Sequence, residues 1–375
     1  MVFRTALCDL LGIEYLILQS GMGGVAGPEL VAEVSRAGAL GILAGLNVPA
    51  DELRRRIRRV RELTDRPFGV NLWLHSELRP PTDPATIPDH TMRAAQGALN
   101  QFRERLGIPT KTERPDPVPD LVDDAIAVIL DERVPVFSAA LGTPDVALAR
   151  RCFERGIKIV AMVATVKDAR AAASAGADVI VAQGFEAGGH RSTGAKAASA
   201  ESAATGTLAL VPQIVDAVNV PVVAAGAIAD GRGLAAALAL GAAGILLGTR
   251  FVATRESMAE EFYKKALLES EADATTITDV FSGLYARALR NTFAREYAES
   301  GAPVLPPLLQ RNAAADIYAA SSKRDDGSYL PLWSGQSVGL IHDLPGAAEV
   351  VEAIVREARA VLTGLGARVK QEGTS

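Results

Sequence analysis

Asp178-Val179-Ile180-Val181-Ala182-Gln183-Gly184-Phe185-Glu186-Ala187-Gly188-Gly189-His190-Arg191 is the stretch from which the fold can be read. Its first five residues form an apolar, β-branched run of the kind buried on both faces in a parallel sheet. The run stops at Gln183 and gives way to a polar loop with paired glycines that presents an imidazole. Gly188 and Gly189 have no Cβ, so the backbone there tolerates positive φ and can approach a ligand closely. His190 brings a side chain whose ordinary pKa lies near neutrality and which can therefore take up or release a proton.

Working outward, similar runs recur at Tyr15–Ser20, Leu40–Ala44, Phe68–Leu74, Val134–Ala139, Ile157–Val163, Asp178–Gln183, Val220–Ala225 and Gly244–Thr249. Between most of them lie alanine-rich amphipathic segments: Pro28–Ala37, Ala50–Leu63, Pro144–Arg155, Lys167–Ala175, Leu208–Val218 and Gly231–Leu240. Gly156, Gly176 and Gly241 follow three of these segments, where helix C-caps place glycine. Strict alternation of strand and helix requires parallel strands with helical crossovers. Eight such units close most simply into a (β/α)8 barrel. An open doubly wound sheet would carry Gly-x-Gly-x-x-Gly after its first strand. Gly21-Met22-Gly23-Gly24 stands there with a different spacing.

Two segments break the alternation. Residues 75–120 are rich in proline and read as an excursion after the third strand, with one helix near Met92–Leu106. Residues 254–335 read as an inserted, mainly helical lid domain, leaving 1–253 and 336–375 as the barrel. Gly346–Leu362 is the barrel's expected closing helix, and the tail after Gly364 is expected to fray.

Composition narrows the function. The 375 residues are 49% apolar and 22% charged with net charge −5, which offers no electrostatic footprint for nucleic acid. The arginines at 54–56 and 58–59 are flanked by acids and read as a solvated helix face. The uncharged stretch Gly233–Thr249 is shorter than the ~20 residues of a membrane span and reads as a buried helix followed by a strand. Two cysteines, Cys8 and Cys152, suggest neither disulfides nor zinc, and a reducing cytoplasm is the expected compartment. The charged N-terminus does not read as a secretory signal.

In a barrel, chemistry gathers at the carboxyl ends of the strands. Here that face collects Gln19 to Gly24, Asn71, Gln183 to His190, Ala224 to Ala227 and Leu247 to Arg250. The loops after the seventh and eighth strands commonly hold a phosphate. Gly226 and Gly248 bare the backbone at those two places, and Thr249 adds a hydroxyl. The four histidines show no metal-ligand spacing, and there is no Gly-x-Ser-x-Gly elbow. A phosphate cradle, two amides (Asn71 and Gln183) and one histidine suit a bound cofactor that carries the hard chemistry.

These motifs resemble those of the nitronate monooxygenases, formerly 2-nitropropane dioxygenases, which are FMN-dependent TIM barrels. The resemblance is carried by Gln183 to His190, Gln19 to Gly24 with Ala37 to Gly41, Phe68 to Leu72, Ser282 to Asn291 and Leu332 to Ser337. It implies FMN as cofactor, held by Asn71, Gln183, Gly188, Gly189, Gly226, Gly248 and Thr249, with Met22 and Gly23 near the ring. It implies His190 as the base that removes the α-proton of a nitroalkane, with dioxygen as co-substrate. Tyr285, Tyr318, Lys323, Trp333 and Gln336 lie in segments expected to cover the pocket and are candidate substrate-lining residues. A homodimer is compatible with this reading. The alternative on the same scaffold is an NAD(P)H-dependent FMN reductase of a quinone or an enoyl thioester. A flavin-free barrel acting on a sugar or nucleotide phosphate is a reading from another class; its nucleotide-oxidising relatives need a loop cysteine, and neither Cys8 nor Cys152 is placed for that.

Overall fold

The computed structural model describes residues 4–193 and 198–371. The apolar runs form β1 (Ile17–Gln19), β2 (Gly41–Ala44), β3 (Phe68–Trp73), β4 (Val136–Ala140), β5 (Lys158–Val163) and β6 (Val179–Gln183). A two-residue strand, β7 (Gly189–His190), precedes β8 (Val222–Ala225) and β9 (Gly244–Leu247); β10 (Thr275–Thr278) and β11 (Ala286–Leu289) come later. One sheet of eight parallel strands has the order β1-β9-β8-β6-β5-β4-β3-β2. A parallel bridge between Leu18 and Leu40 joins its two ends, with Leu40 N donating to Ile17 O and Gln19 N to Leu40 O, each at 2.9 Å. The sheet thus closes on itself, and the expected (β/α)8 barrel is the fold.

The crossover helices sit where alanine-rich amphipathic segments required them: Pro28–Arg36, Ala50–Leu63, Val146–Phe153, Val166–Ser174, Thr207–Val215 and Gly231–Ala239. The stretch 233–249 is indeed a helix followed by β9, and among the described residues no helix is long and apolar enough to cross a membrane. Cys8 and Cys152 are free thiols buried in the core, and burial pushes the Cys152 thiol up to about 11. The arginine-rich helix face is laced with ion pairs to Glu29, Glu52, Glu62, Asp131 and Glu132.

The two interruptions of the alternation pack on each other. Met92, Leu99 and Phe102 of the helix Asp89–Arg105 share a second apolar core with Phe281, Phe293, Tyr297, Leu309 and Tyr318. Phe281 and Phe293 stack at 5.4 Å between ring centres, and Phe102 lies 4.7 Å from Phe293. Arg103 is fully buried there, paired with Asp316 at 2.9 Å and donating to Ala313 O at 2.7 Å and Gln96 Oε1 at 2.8 Å. A buried cation persists only when its donors are satisfied in this way.

Residues 254–335 are not helical throughout. β10 pairs antiparallel with β11, and β11 pairs antiparallel with β7, which belongs to the loop after β6. A charged helix within this segment spans Glu261–Leu268. The closing helix is longer than expected, Ala347–Gln371, and packs against Gly231–Ala239.

Close packing in the barrel gives a clean stability contrast. A Cβ added at Gly41 would lie 2.2 Å from Val31 O, a backbone atom. At Gly97, exposed within the helix Asp89–Arg105, an added Cβ meets nothing within 4 Å. Gly41→Ala is expected to cost about 1–3 kcal/mol by overpacking, whereas Gly97→Ala gains about 0.5–1 kcal/mol from helix propensity. Urea melts of the two variants check both signs.

Candidate active site

β6 delivers the chain to the site, and Gln183 at its end fixes the loop beyond it. The buried side-chain amide of Gln183 donates to His190 O at 2.9 Å and accepts from Ser192 N at 2.7 Å. Both ends of the amide therefore hold the loop that carries His190, leaving one N–H and one lone pair for a ligand. Glu186 accepts from Thr207 N and Oγ1, each at 2.9 Å, and so caps the helix Thr207–Val215. A carboxylate at that helix start satisfies its positive end.

Gly188 and Gly189 serve different needs. A Cβ at Gly188 would lie 2.5 Å from Gly335 N and 2.7 Å from Ser334 C, so this glycine admits the protein's own backbone. Gly189 has open space around its missing Cβ but a φ of +74°, which favours glycine. Beyond it His190 pairs with Ala286 in the small sheet.

His190 sits in an aromatic box. The indole of Trp73 meets its ring edge-on at 4.7 Å, and that of Trp333 lies 4.8 Å away. Nε2 lies 2.9 Å from Ser282 Oγ, whose hydroxyl also reaches Leu284 O at 3.3 Å. With that hydroxyl donating to Leu284 O, Nε2–H donates to Ser282 and Nδ1 keeps the lone pair. Burial, aided by the positive charge of Arg311, pushes the imidazole down to about 3. His190 is thus neutral at pH 7.

Two buried guanidinium groups brace the loop. Arg191 lies 5.5 Å and Arg287 5.1 Å from the ring centre of Phe185. Arg191 donates to Gly184 O at 2.7 Å and Ala203 O at 3.0 Å; Arg287 donates to Phe185 O at 3.0 Å. Arg191 therefore belongs to the loop's internal scaffolding and does not line a pocket. Burial pulls it down to about 10, with Arg287's charge adding to the effect.

The expected cradle lies at the ends of β8 and β9. Gly226 has a φ of +111°. Gly248 caps the short helix Thr249–Val252, whose first N–H groups have no intrahelical acceptor. Thr249 Oγ1 accepts from Gly335 N at 3.0 Å, which leaves its hydroxyl hydrogen to donate. A Cβ at Gly248 would meet only Met22 Sδ at 3.5 Å and Ser20 Cβ at 4.0 Å, and one at Gly23 nothing within 4 Å. Room therefore exists where β1 and β9 end, with Met22 beside it. Asn71 Nδ2 donates to Ser138 Oγ at 3.0 Å.

Of the five candidate lining residues, Trp333 reaches His190. Gln336 N donates to Glu186 O at 3.0 Å, tying its segment to the β6 loop. Tyr285 O accepts from Arg191 N at 3.0 Å. Burial, with the charges of Asp279 and Glu201, raises the Tyr285 hydroxyl. Tyr318 and Lys323 are placed otherwise than expected. Tyr318 is buried in the second core with its hydroxyl committed to Phe281 O at 3.0 Å, and Lys323 is exposed at the C-cap of the helix Ala315–Ser322. Trp73 and Ser282 were missed. Period-two alternation from Asn71 would have found Trp73; Ser282 meets His190 only through tertiary folding. Among the described residues no cluster of His, Cys, Asp and Glu could hold a metal.

With this geometry in view, a model of the nitronate monooxygenase family matches residues 4–357. The chain belongs to the nitronate monooxygenase family. A probable nitronate monooxygenase of Staphylococcus saprophyticus is 35% identical over 367 residues, covering 96% of this chain and 99% of that one. The crystal structure of nitroalkane oxidase from Streptomyces ansochromogenes superposes with a TM-score of 0.86 at 36% identity, covering 96% of this chain and all of that one. FabK from Thermotoga maritima is also similar, with a TM-score of 0.75 at 32% identity, over 97% of this chain and 99% of that one. Membership makes this nitronate monooxygenase homologue an oxidoreductase of a flavin-dependent family.

The depressed imidazole has a thermodynamic signature. The unfolded chain protonates His190 near its ordinary 6.5 while the folded protein does not until about 3. Stability that is intact above pH 6.5 is therefore lost as pH falls through that window. Between pH 7 and 5 the wild type is expected to lose about 1–2 kcal/mol more than His190→Asn, measured by urea melts of the flavin-free proteins.

Proposed function

We propose that this enzyme is an FMN-dependent nitronate monooxygenase that oxidises alkyl nitronates with dioxygen. The observation that carries the reading is the neutral imidazole of His190, boxed by Trp73 and Trp333, on the strand-end face where β1 and β9 leave room for a cofactor. The residues present fit FMN. Gly226, Gly248 and Thr249 would hold its phosphate, Met22, Gly23 and Asn71 would lie along its ring, and Gln183 to Gly189 would close over it. FMN, when bound, supplies the two-electron acceptor and the centre at which dioxygen is reduced.

The chain's own residues then do three things. Trp73 and Trp333 exclude water from the reacting carbon. Ser282 accepts Nε2–H and turns the lone pair at Nδ1 toward the α-proton of a neutral nitroalkane. His190 accepts that proton and thereby generates the nitronate. An imidazole pushed so low is a weak base, so the box suits a nitronate already lacking its proton better than the neutral acid. A bound anion beside the ring raises its proton affinity again. The two buried free cysteines favour a reducing compartment, and we place the enzyme in the cytoplasm.

An absorbance spectrum followed by anaerobic titration tests the reading. An alkyl nitronate should bleach the bound flavin and NADH should not; rapid bleaching by NADH alone would overturn it in favour of an NAD(P)H-dependent reductase of a quinone or enoyl thioester. His190→Asn should keep the flavin and slow turnover of neutral nitroalkanes by about 10²–10⁴-fold, far more than turnover of preformed nitronates. Steady-state rates on both forms check this, and equal losses would remove the base from the mechanism.

A further inference from the structure

We propose that the outward face of the helices Val122–Asp131 and Val146–Phe153 is a dimer interface, its occupant a second copy of this chain related by a two-fold axis. The two helices lead into and out of β4, which stands between β3 and β5 in the barrel. They therefore lie side by side and run the same way, from the carboxyl ends of the strands back to the amino ends. A hydrogen bond from Arg79 holds the Asp123 carboxyl below the usual carboxylate range, and the charge of Arg151, on the neighbouring helix, adds to the effect.

Six large apolar side chains are exposed among the described residues, and Phe153 at 81% and Val146 at 68% are two of them. They stand seven residues apart, two turns of one helix, and so share a stripe with the exposed Arg150 between them. Single apolar side chains scattered over a surface need no explanation, but a phenylalanine and a valine aligned on one helix face offer a contact. Aromatic residues and arginine are also what the centres of protein interfaces favour.

The charges decide what covers this face. On the first helix the exposed residues are Asp123, Asp124, Ala127 and Asp131, with no cation among them. On the second, Arg150 and Arg151 are exposed, and Arg155 follows. The acids at its two ends are committed, Asp145 to Leu148 N at 2.7 Å and Glu154 to Arg150 at 2.9 Å. Asp123 and Asp131 reach Arg79 and Arg54 at 2.9 and 3.5 Å, whereas Asp124 and Arg151 take part in no ion pair among the described residues. An acidic strip beside a basic one is complementary to itself after a half-turn. A two-fold axis between them reverses the helices of the second copy, so the acidic start of one copy's first helix meets the basic end of the other's second. The symmetry makes that contact twice. Ala127, small and exposed among the acids, leaves room for the ring of Phe153.

Sedimentation velocity across a dilution series tests this. The wild type should reach twice the mass of one chain as its concentration rises. Phe153→Asp should keep the circular dichroism spectrum and weaken association about thirtyfold or more, as loss of an interface anchor does. Asp124→Arg and Arg151→Asp should each weaken association too. The variant carrying both changes should dimerise again, because the exchanged charges meet across the axis. A wild type that stays a monomer at every concentration overturns the proposal. So does a dimer that Phe153→Asp leaves as tight as before, or a pair of charge changes whose combination restores nothing. If Phe153→Asp does not fold, the charge variants decide by themselves.

Discussion

A two-residue length of antiparallel pairing, Ala286 with His190 and Arg287 with Gly189, is the contact on which the order of the site depends. The loop after β6 has no sheet of its own to join, and β11 supplies the edge. Through that pairing His190 acquires a fixed backbone, and Ser282, in the chain just before β11, arrives within hydrogen-bond distance of its ring. The other restraints converge on the same loop. Gln183 clamps it from the barrel, Arg191 and Arg287 stack on Phe185 within it, and Gly335 packs against Gly188. Packing between two indoles lowers the proton affinity of the His190 imidazole, so the size of that shift depends on this enclosure.

The segment from Trp333 to Gln336 links the two halves of the site. Trp333 walls His190, and its carbonyl accepts from the Tyr263 hydroxyl. Gly335 N reaches Thr249 at the cradle, and Gln336 N reaches Glu186 in the β6 loop. Thr249 at the end of β9 and the loop that carries His190 are thus braced by one short piece of chain. Glu186 meanwhile occupies the start of the helix Thr207–Val215.

The barrel was legible because its signals are local. Continuous apolar runs such as Val179–Ala182 can be buried on both faces only in a parallel sheet, and each is bounded by a helix and its cap. Gly226, Gly248 and Thr249 stood out for the same reason, since strand-end glycines mark their own positions. The small sheet was not legible. Thr275-Thr276-Ile277-Thr278 is short and polar, and it is a strand only because Ala286–Leu289 and then Gly189–His190 pair alongside. The packing of Gly188 against Gly335 was not legible for a related reason, because the backbone it admits comes from a distant part of the chain. Tyr318 and Lys323 looked like lining residues by position alone, whereas burial in an aromatic cluster and exposure at a helix end decide their actual environments.

Arg103 has a consequence for how this architecture can be taken apart. Its guanidinium, rooted in the proline-rich excursion, is neutralised by Asp316 and saturated by Ala313 O, both of which lie beyond the barrel's last strand. Severing either segment would strand a cation in an apolar interior. The two are therefore halves of a single cap divided in sequence, and neither is a module to be excised or transplanted without the other.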